Sequence, residues 1–428
     1  MLISYNPIRI YLKLLLCFCM VFTISCVSSQ EQTLKKPQGH RSLNSPGHSP
    51  QRIILNLTED PCASQAVTWR TLQKARSPLA QFTAHTGSLS LIENSITTNA
   101  ISDIVKIGDK KFVYHYSAVF KNLRPDTIYS YRVGSKGNFS EWSLFKTAKK
   151  GTKPLQFVYL GDPQNQIKSM CSQIFRAAYK KAPDADFWLF IGDLVNDGEN
   201  DEEWDEFFYG LGFIPRTTPM ILLPGNHEYP DKRVVKGKNF KLTPLWRPHF
   251  TLPENGPQGL KESVYFIDYQ GVRFVMLNGN EKLEEQAIWL DKILAENPQE
   301  WTIAAIHQPI FSTAKFRKKY KKKKKDLFSP VFDKYAVDLV LQGHDHTYSR
   351  TYKIKNRQRV KENEKGTVYI ISVCGPKVYS ATPNFRDLMA KSESGRQLFQ
   401  VIDVDQNKLS YKAFNVKGEL YDSFELKK

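Results

Sequence analysis

The chain has 428 residues, 41% of them hydrophobic and 12% aromatic, which is enough apolar material for two or three packed domains and excludes global disorder. Its net charge of +18 favours anionic partners: phosphate esters, nucleic acid or an anionic lipid surface. Six cysteines without a CxxC pair, three of them within the first 26 residues, argue against a disulfide framework and a Cys-ligated zinc site.

Residues 1–26 read as a targeting segment. Arg9 and Lys13 precede the apolar stretch LLLCFCMVFTI, residues 14–24, which is short of the ~20 apolar residues of a membrane span. TISCVSS then sets a small residue before Cys26, as in a bacterial lipobox, although Thr23 stands where that motif has Leu. The reading is export with a lipidated Cys26 as membrane anchor, in the periplasm or on the outer membrane. Plain cleavage and secretion, or a retained anchor, are the alternatives. Residues 27–50, rich in Ser, Pro, Gly and Gln without periodicity, read as a flexible tether.

Residues 51–149 read as an all-β sandwich. RIILNL, QAVTWRT, FVYHYSAVF and YSYRVGS are short alternating runs separated by turn residues. LRPDTIYSYRV, residues 123–133, resembles the tyrosine-corner region of a fibronectin type III domain, with Tyr129 in the corner.

From Pro154 to residue 428 the pattern becomes α/β. LQFVYLGD ends in Asp162, DFWLFIGD in Asp193, PMILLPGNHE in Asn226 and His227, WTIAAIHQP in His307, and VDLVLQGHDH in His344 and His346. Helical spacing separates the first three runs. α/β sheets bind ligands beyond the carboxyl ends of their strands, so five buried strands ending in carboxylate, amide and imidazole groups point to a metal site. This donor mix suits two ions such as Fe, Mn or Zn. Two ions ~3.5–4 Å apart can activate water and clamp both oxygens of an in-line displacement. RQLFQVIDVDQNKLSYKAF, near the C-terminus, reads as an antiparallel hairpin with Gln406 and Asn407 in the turn.

GDPQ, GDLVND, GNHE, IHQP and GHDH, in this order over residues 161–346, resemble the calcineurin-type metallophosphoesterases. With the sandwich in front, the chain resembles the purple acid phosphatases. The resemblance implies a four-layer α/β/β/α catalytic domain with a mixed sheet. It implies Asp162 and His346 on metal one, Asp193 as the bridge, and Asn226, His307 and His344 on metal two. His227 would act on the leaving oxygen or the transition state, oriented by Glu228, and a metal-bound hydroxide would be the nucleophile. Asn196 replaces the family's tyrosine, the source of its purple colour, and Gln164 stands where other metallophosphoesterases have His. Metal one is therefore completed by Gln164, with Asn196 or water as alternatives. Arg317 stands ten residues after His307, where plant-type members have a substrate-side His, and is a candidate phosphate ligand. It opens FRKKYKKKKK, residues 316–325, read as a solvated mobile run with substrate steering or lipid contact as alternatives.

The reading is an exported phosphatase acting on small phosphomonoesters. A phosphodiesterase or nuclease on the same site is the first alternative. Nucleic acid is the weaker partner, since no basic stripe is interleaved with aromatic residues. A non-catalytic binding protein using the sandwich is the second alternative.

Overall fold

The computed structural model describes residues 47–88, 90–108, 111–231, 240–315 and 322–428. The targeting segment, Cys26 and Arg317 lie outside the described residues. The front of the chain forms two antiparallel sheets packed face to face. One contains Gln51–Asn56, Gln65–Thr71, Lys111–Phe120 and Ile101–Ile107; the other contains Ile96–Asn99, Leu79–Ala84, Ile128–Ser135, Asn138–Phe139 and Ser143–Lys146. Alternate residues of the strands point inward, so Trp69, Phe82, Tyr116, Phe120, Tyr131 and Phe145 meet in one core. Tyr129 fills its corner: its hydroxyl accepts the Arg124 backbone N–H at 2.8 Å. The Gly47 carbonyl accepts the Gln73 N–H at 2.7 Å, so the chain is tied to the sandwich before residue 51.

The α/β part has two sheets. The first is built on parallel strands β1 (Leu155–Leu160), β2 (Phe187–Ile191) and β3 (Met220–Leu223). The hairpin Leu398–Val404 with Lys408–Asn415 extends it beside β1, antiparallel. The second is built on β4 (Val272–Leu277), β5 (Trp301–Ile306), β6 (Leu339–Gln342) and β7 (Val368–Ile371), mutually parallel, with antiparallel strands at both flanks. The period of two in β4 and β5 explains the layering. Phe274, Met276, Ile303 and Ala305 face the first sheet, while Val275, Leu277, Ala304 and Ile306 face the helices. Helices α1 (Ser172–Lys181) and α2 (Asp201–Leu211) cover the first sheet. Helices α3 (Leu283–Ala295) and α4 (Lys322–Lys334) cover the second, completing α/β/β/α.

Two features depart from the sequence reading. Within the basic run the described residues, from Lys322 onward, start α4 and are not a mobile segment, because Phe328 and Phe332, one turn apart, give the helix an apolar face to bury. The two domains also share a sheet. Asn56 pairs in parallel with Met220 of β3, giving ten continuous strands from the C-terminal hairpin to the sandwich edge. Among the described residues no helix is long and apolar enough to cross a membrane.

Candidate metal centre

Parallel strands put their carboxyl ends on one side, and each of β1, β2, β3, β5 and β6 there turns sharply into a polar residue. Asp162, Asp193, His344 and His346 have φ of 49°, 48°, 70° and 45°. Left-handed backbone is costly for residues other than glycine, on the order of 1 kcal/mol or more each, and collects at functional sites. Glycine next to these residues allows close approach. A Cβ on Gly343 would stand 2.1 Å from Asp162 Oδ2, and one on Gly225 2.1 Å from Asp193 Oδ1.

The side chains converge on a buried cup. Asp193 Oδ2 lies 3.0 Å from His307 Nε2. Asp162 Oδ1 lies 3.8 Å from His307 Nε2 and 3.9 Å from His346 Nε2. His307 Nε2 is 3.3 Å from His344 Nδ1. Ligand atoms of Asp193, His307 and His344 lie within 4.8 Å of one another, and so do those of Asp162, Asp193 and His346. Asp193 belongs to both sets.

The local chemistry fits cations. His307 Nδ1–H donates to the Ile191 carbonyl at 2.7 Å, which turns Nε2 toward the carboxylates. Two buried oxygens, Asn226 Oδ1 and Gln164 Oε1, have no hydrogen-bond partner. Burial drives Asp162 well above the usual carboxylate range; His307 opposes this and the Asp193 charge reinforces it. Burial opposes the charge on His307, yet Asp193 and Asp162 raise it to about 9. Burial, then the nearby Lys377 charge, push His346 down to about 3. Two carboxylates buried this tightly, one resisting ionisation and both drawing a proton onto His307, call for a positive charge among them.

Gln164 is in the cup: its Nε2 lies 3.1 Å from Asp193 Oδ2 and 2.9 Å from His346 Nε2. An amide turned end for end would put its oxygen there instead. Asn196 is not, because its side chain turns to Asn165, whose Nδ2 donates to it at 2.9 Å. Asn226 immediately precedes His227, whose backbone N–H donates to Asp193 Oδ1 at 2.9 Å. The His227 ring stands at the rim, 26% exposed, with Nε2 3.9 Å from Asp193 Oδ2. Its Nδ1–H donates to the Asn196 carbonyl at 2.5 Å.

Glu228 needs correction. It does not orient the His227 ring, since that partner is the Asn196 carbonyl. Its fully buried carboxylate accepts backbone N–H groups of Asp193, Leu194 and Gly225 at 2.9, 2.8 and 2.6 Å, tying the loop after β2 to the loop after β3. Residues 226–229 form a turn, with the Tyr229 N–H on the Asn226 carbonyl at 3.3 Å, and Glu228 faces the scaffold.

Sequence reasoning missed Tyr379, whose ring meets His346 edge-on at 4.9 Å, and Asp345, whose carboxylate accepts the Ser312 hydroxyl. Asp345 lies inside GHDH between the two histidines, while Tyr379 sits in no motif that marks it. A cleft of about 1160 Å³ opens beside the site, with Asn165, Asn196 and Lys377 in its wall.

Residues 155–348 match the calcineurin-like phosphoesterase family, and residues 50–147 match the purple acid phosphatase N-terminal domain. Human acid phosphatase type 7 is 25% identical over 369 residues, covering 77% of this chain and 79% of that protein. Purple acid phosphatase 21 of Arabidopsis thaliana is 28% identical over 259 residues, covering 58% of this chain and 55% of that protein. The solved structure of purple acid phosphatase PPD1 from yellow lupin seeds shares the fold, with a TM-score of 0.74 at 20% identity over 89% of this chain and 74% of that one.

Proposed function

The chain is a dinuclear metallophosphoesterase with the domain pair of the purple acid phosphatases, and on that premise we propose that it hydrolyses small phosphomonoesters outside the cytoplasm. The observation that carries the catalytic part is the sharing of Asp193 between two donor sets, with His227 at the open rim.

Asp162, Gln164, Asp193 and His346 would hold one ion; Asp193, Asn226, His307 and His344 would hold the other. Two ions held so supply an activated water and a clamp on the transferring phosphoryl group. The chain's own groups do the rest. The Asn196 carbonyl accepts a hydrogen bond from His227 Nδ1–H, which keeps that proton on Nδ1, so Nε2 faces the cup and can handle the proton of the leaving oxygen. Asp193 is held from two directions: its carboxylate accepts the His227 backbone N–H, and its own backbone N–H donates to the Glu228 carboxylate. The adjacent cleft gives the leaving group room, and Tyr209 is the one aromatic ring among its described lining residues. A stacking platform for bases needs more.

The test compares kcat/KM for p-nitrophenyl phosphate and bis(p-nitrophenyl) phosphate, with manganese, zinc and iron each added. Monoester preference is the expected result. Diester preference would replace the reading with a phosphodiesterase, and no turnover with any metal would leave a binding protein. The order of charge, apolar stretch and Cys26 supports export and lipid anchoring. Cys26→Ser should release the protein from the membrane fraction; retention there would refute the anchor.

A further inference from the structure

We infer that Arg52 and Arg70 of the front sandwich are positioning residues for the reaction, holding His227 in place through helix α2. The inference rests on the reading of His227 as the group that handles the leaving-oxygen proton.

Both guanidiniums are buried, with side chains 2% and 6% exposed. They grip the first turn of α2. Arg52 Nη1 lies 2.7 Å from Asp201 Oδ1, and its Nη2 donates to the Asp201 carbonyl at 2.8 Å. Arg70 Nη1 reaches both Asp201 oxygens, at 2.9 and 2.8 Å. Each arginine also reaches Asp205 Oδ1, at 3.3 and 3.4 Å. His249 Nε2 accepts a further bond from Arg52 at 2.9 Å, with its Nδ1–H on the Leu245 carbonyl at 2.7 Å.

Such a cluster is a poor way to gain stability. Two adjacent cations must be desolvated, and their ion pairs return little of that loss. Burial, then repulsion from Arg70, lower Arg52 to about 10. The backbone is bent to make the contact. Arg52 has φ 49° at a register shift between Gln51 and Ile54, so a bulge turns it out of the ladder. A costly, strained contact is retained where it fixes geometry.

The geometry it fixes leads to the site. Two residues beyond Asp201, Glu203 Oε2 accepts the backbone N–H groups of Asn196 and Asp197 at 2.5 and 3.1 Å. The Asn196 carbonyl accepts the His227 Nδ1–H. The sequence of contacts runs Arg52 and Arg70, Asp201, α2, Glu203, Asn196, His227. Asp193 is held separately, by Glu228 and by the His227 backbone. A shift of α2 therefore reaches the imidazole ring before it reaches the shared carboxylate. That gives the sandwich a task in catalysis.

The experiment is a double-mutant cycle on the metal-loaded, full-length protein, with Arg70→Met and His227→Ala made singly and together. Misplacing a catalytic group by ~1 Å can lower turnover ~10²-fold, so Arg70→Met should lower kcat roughly 10- to 100-fold with metal content and KM held. In the His227→Ala background it should change kcat less than about twofold, since there is no ring left to misplace. An equal loss in both backgrounds, or no loss in the wild type, overturns the inference. Glu203→Gln, on a half-buried residue, repeats the cycle if Arg70→Met does not fold, and the same two outcomes decide. Wild-type turnover by His227→Ala would instead remove the reading of His227 itself.

Discussion

The cup at the strand ends and the clamp between the domains both bury charge, but they satisfy it differently. In the clamp Arg52 and Arg70 meet Asp201 in paired, directed contacts, and the atoms left without a partner, Arg70 Nε and His115 Nε2, are nitrogens. In the cup two carboxylates lie among three imidazoles. Its unpartnered atoms include the acceptor oxygens of Asn226 and Gln164. The Asp201 carboxylate of the clamp is matched by guanidiniums of the same chain. The cup is complete only with cations, and four of its residues are held in left-handed backbone to keep it so. Matched charge fixes shape; unmatched charge specifies a ligand.

The sharpest way to break that contrast is to remove the shared carboxylate. Asp193→Ala deletes the carboxylate common to both donor sets, and the expected outcome is loss of both ions and at least a ~10⁴-fold fall in kcat. Metal content by mass spectrometry decides: two equivalents retained would show that the sets do not meet at Asp193. His227→Ala comes next. Its ring touches the cup only through Nε2 at 3.9 Å, so it should keep both ions and lose ~10²–10⁴-fold in turnover. Loss of metal would make it a ligand.

The two clusters were not equally visible in the sequence. The cup is written locally. Its residues follow buried strands, with Gly161, Gly192, Gly225 and Gly343 beside Asp162, Asp193, Asn226 and His344, and the parallel sheet gathers strand ends without further instruction. Asp162, Asp193, His307, His344 and His346 therefore meet as their motifs imply. The clamp is not written locally. Arg52 sits in an ordinary alternating strand, and its partner Asp201 lies 149 residues away in an ordinary helix start. Glu228 marks the intermediate case. Its motif is conspicuous, but only the fold shows that it faces backbone N–H groups instead of the His227 ring. The missing tyrosine at Asn196 was legible, while the turning of that side chain to Asn165 was not.

A smaller effect separates the two sides of the cup. Gln164→Ala should weaken one ion by ~10–100-fold and leave the other tight, because the amide lies against Asp193 and His346 only. Two unequal steps in a metal titration check this; two unchanged steps would place Gln164 outside the ligand set. The iron-loaded, oxidised protein should show no phenolate charge-transfer band. A band abolished by Tyr379→Phe would put the tyrosine beside His346 in that position instead.

The smallest effect belongs to the clamp and is a stability effect. His115 Nδ1–H donates to the Pro248 carbonyl, 2.9 Å away, which fixes the proton on Nδ1. Burial, then the charges of Arg70 and Arg52, push it down to about 3, while Asp201 pulls weakly the other way. The unfolded chain has an ordinary histidine near 6.5. Between about pH 6.5 and 3 the unfolded state therefore binds a proton that the folded state refuses. Stability from this group is complete above that window and is lost as pH falls through it. At pH 5 the loss is about 2 kcal/mol relative to pH 7. His249, buried against Arg52 and also lowered, adds a loss of the same sign. His115→Gln keeps a donor for Pro248 and removes the titration. Urea unfolding of the variant should show a pH 7 to pH 5 difference smaller than wild type by about 2 kcal/mol. An unchanged difference would mean that the clamp accepts the proton after all, and that its charges are less completely matched than the contacts on Asp201 imply.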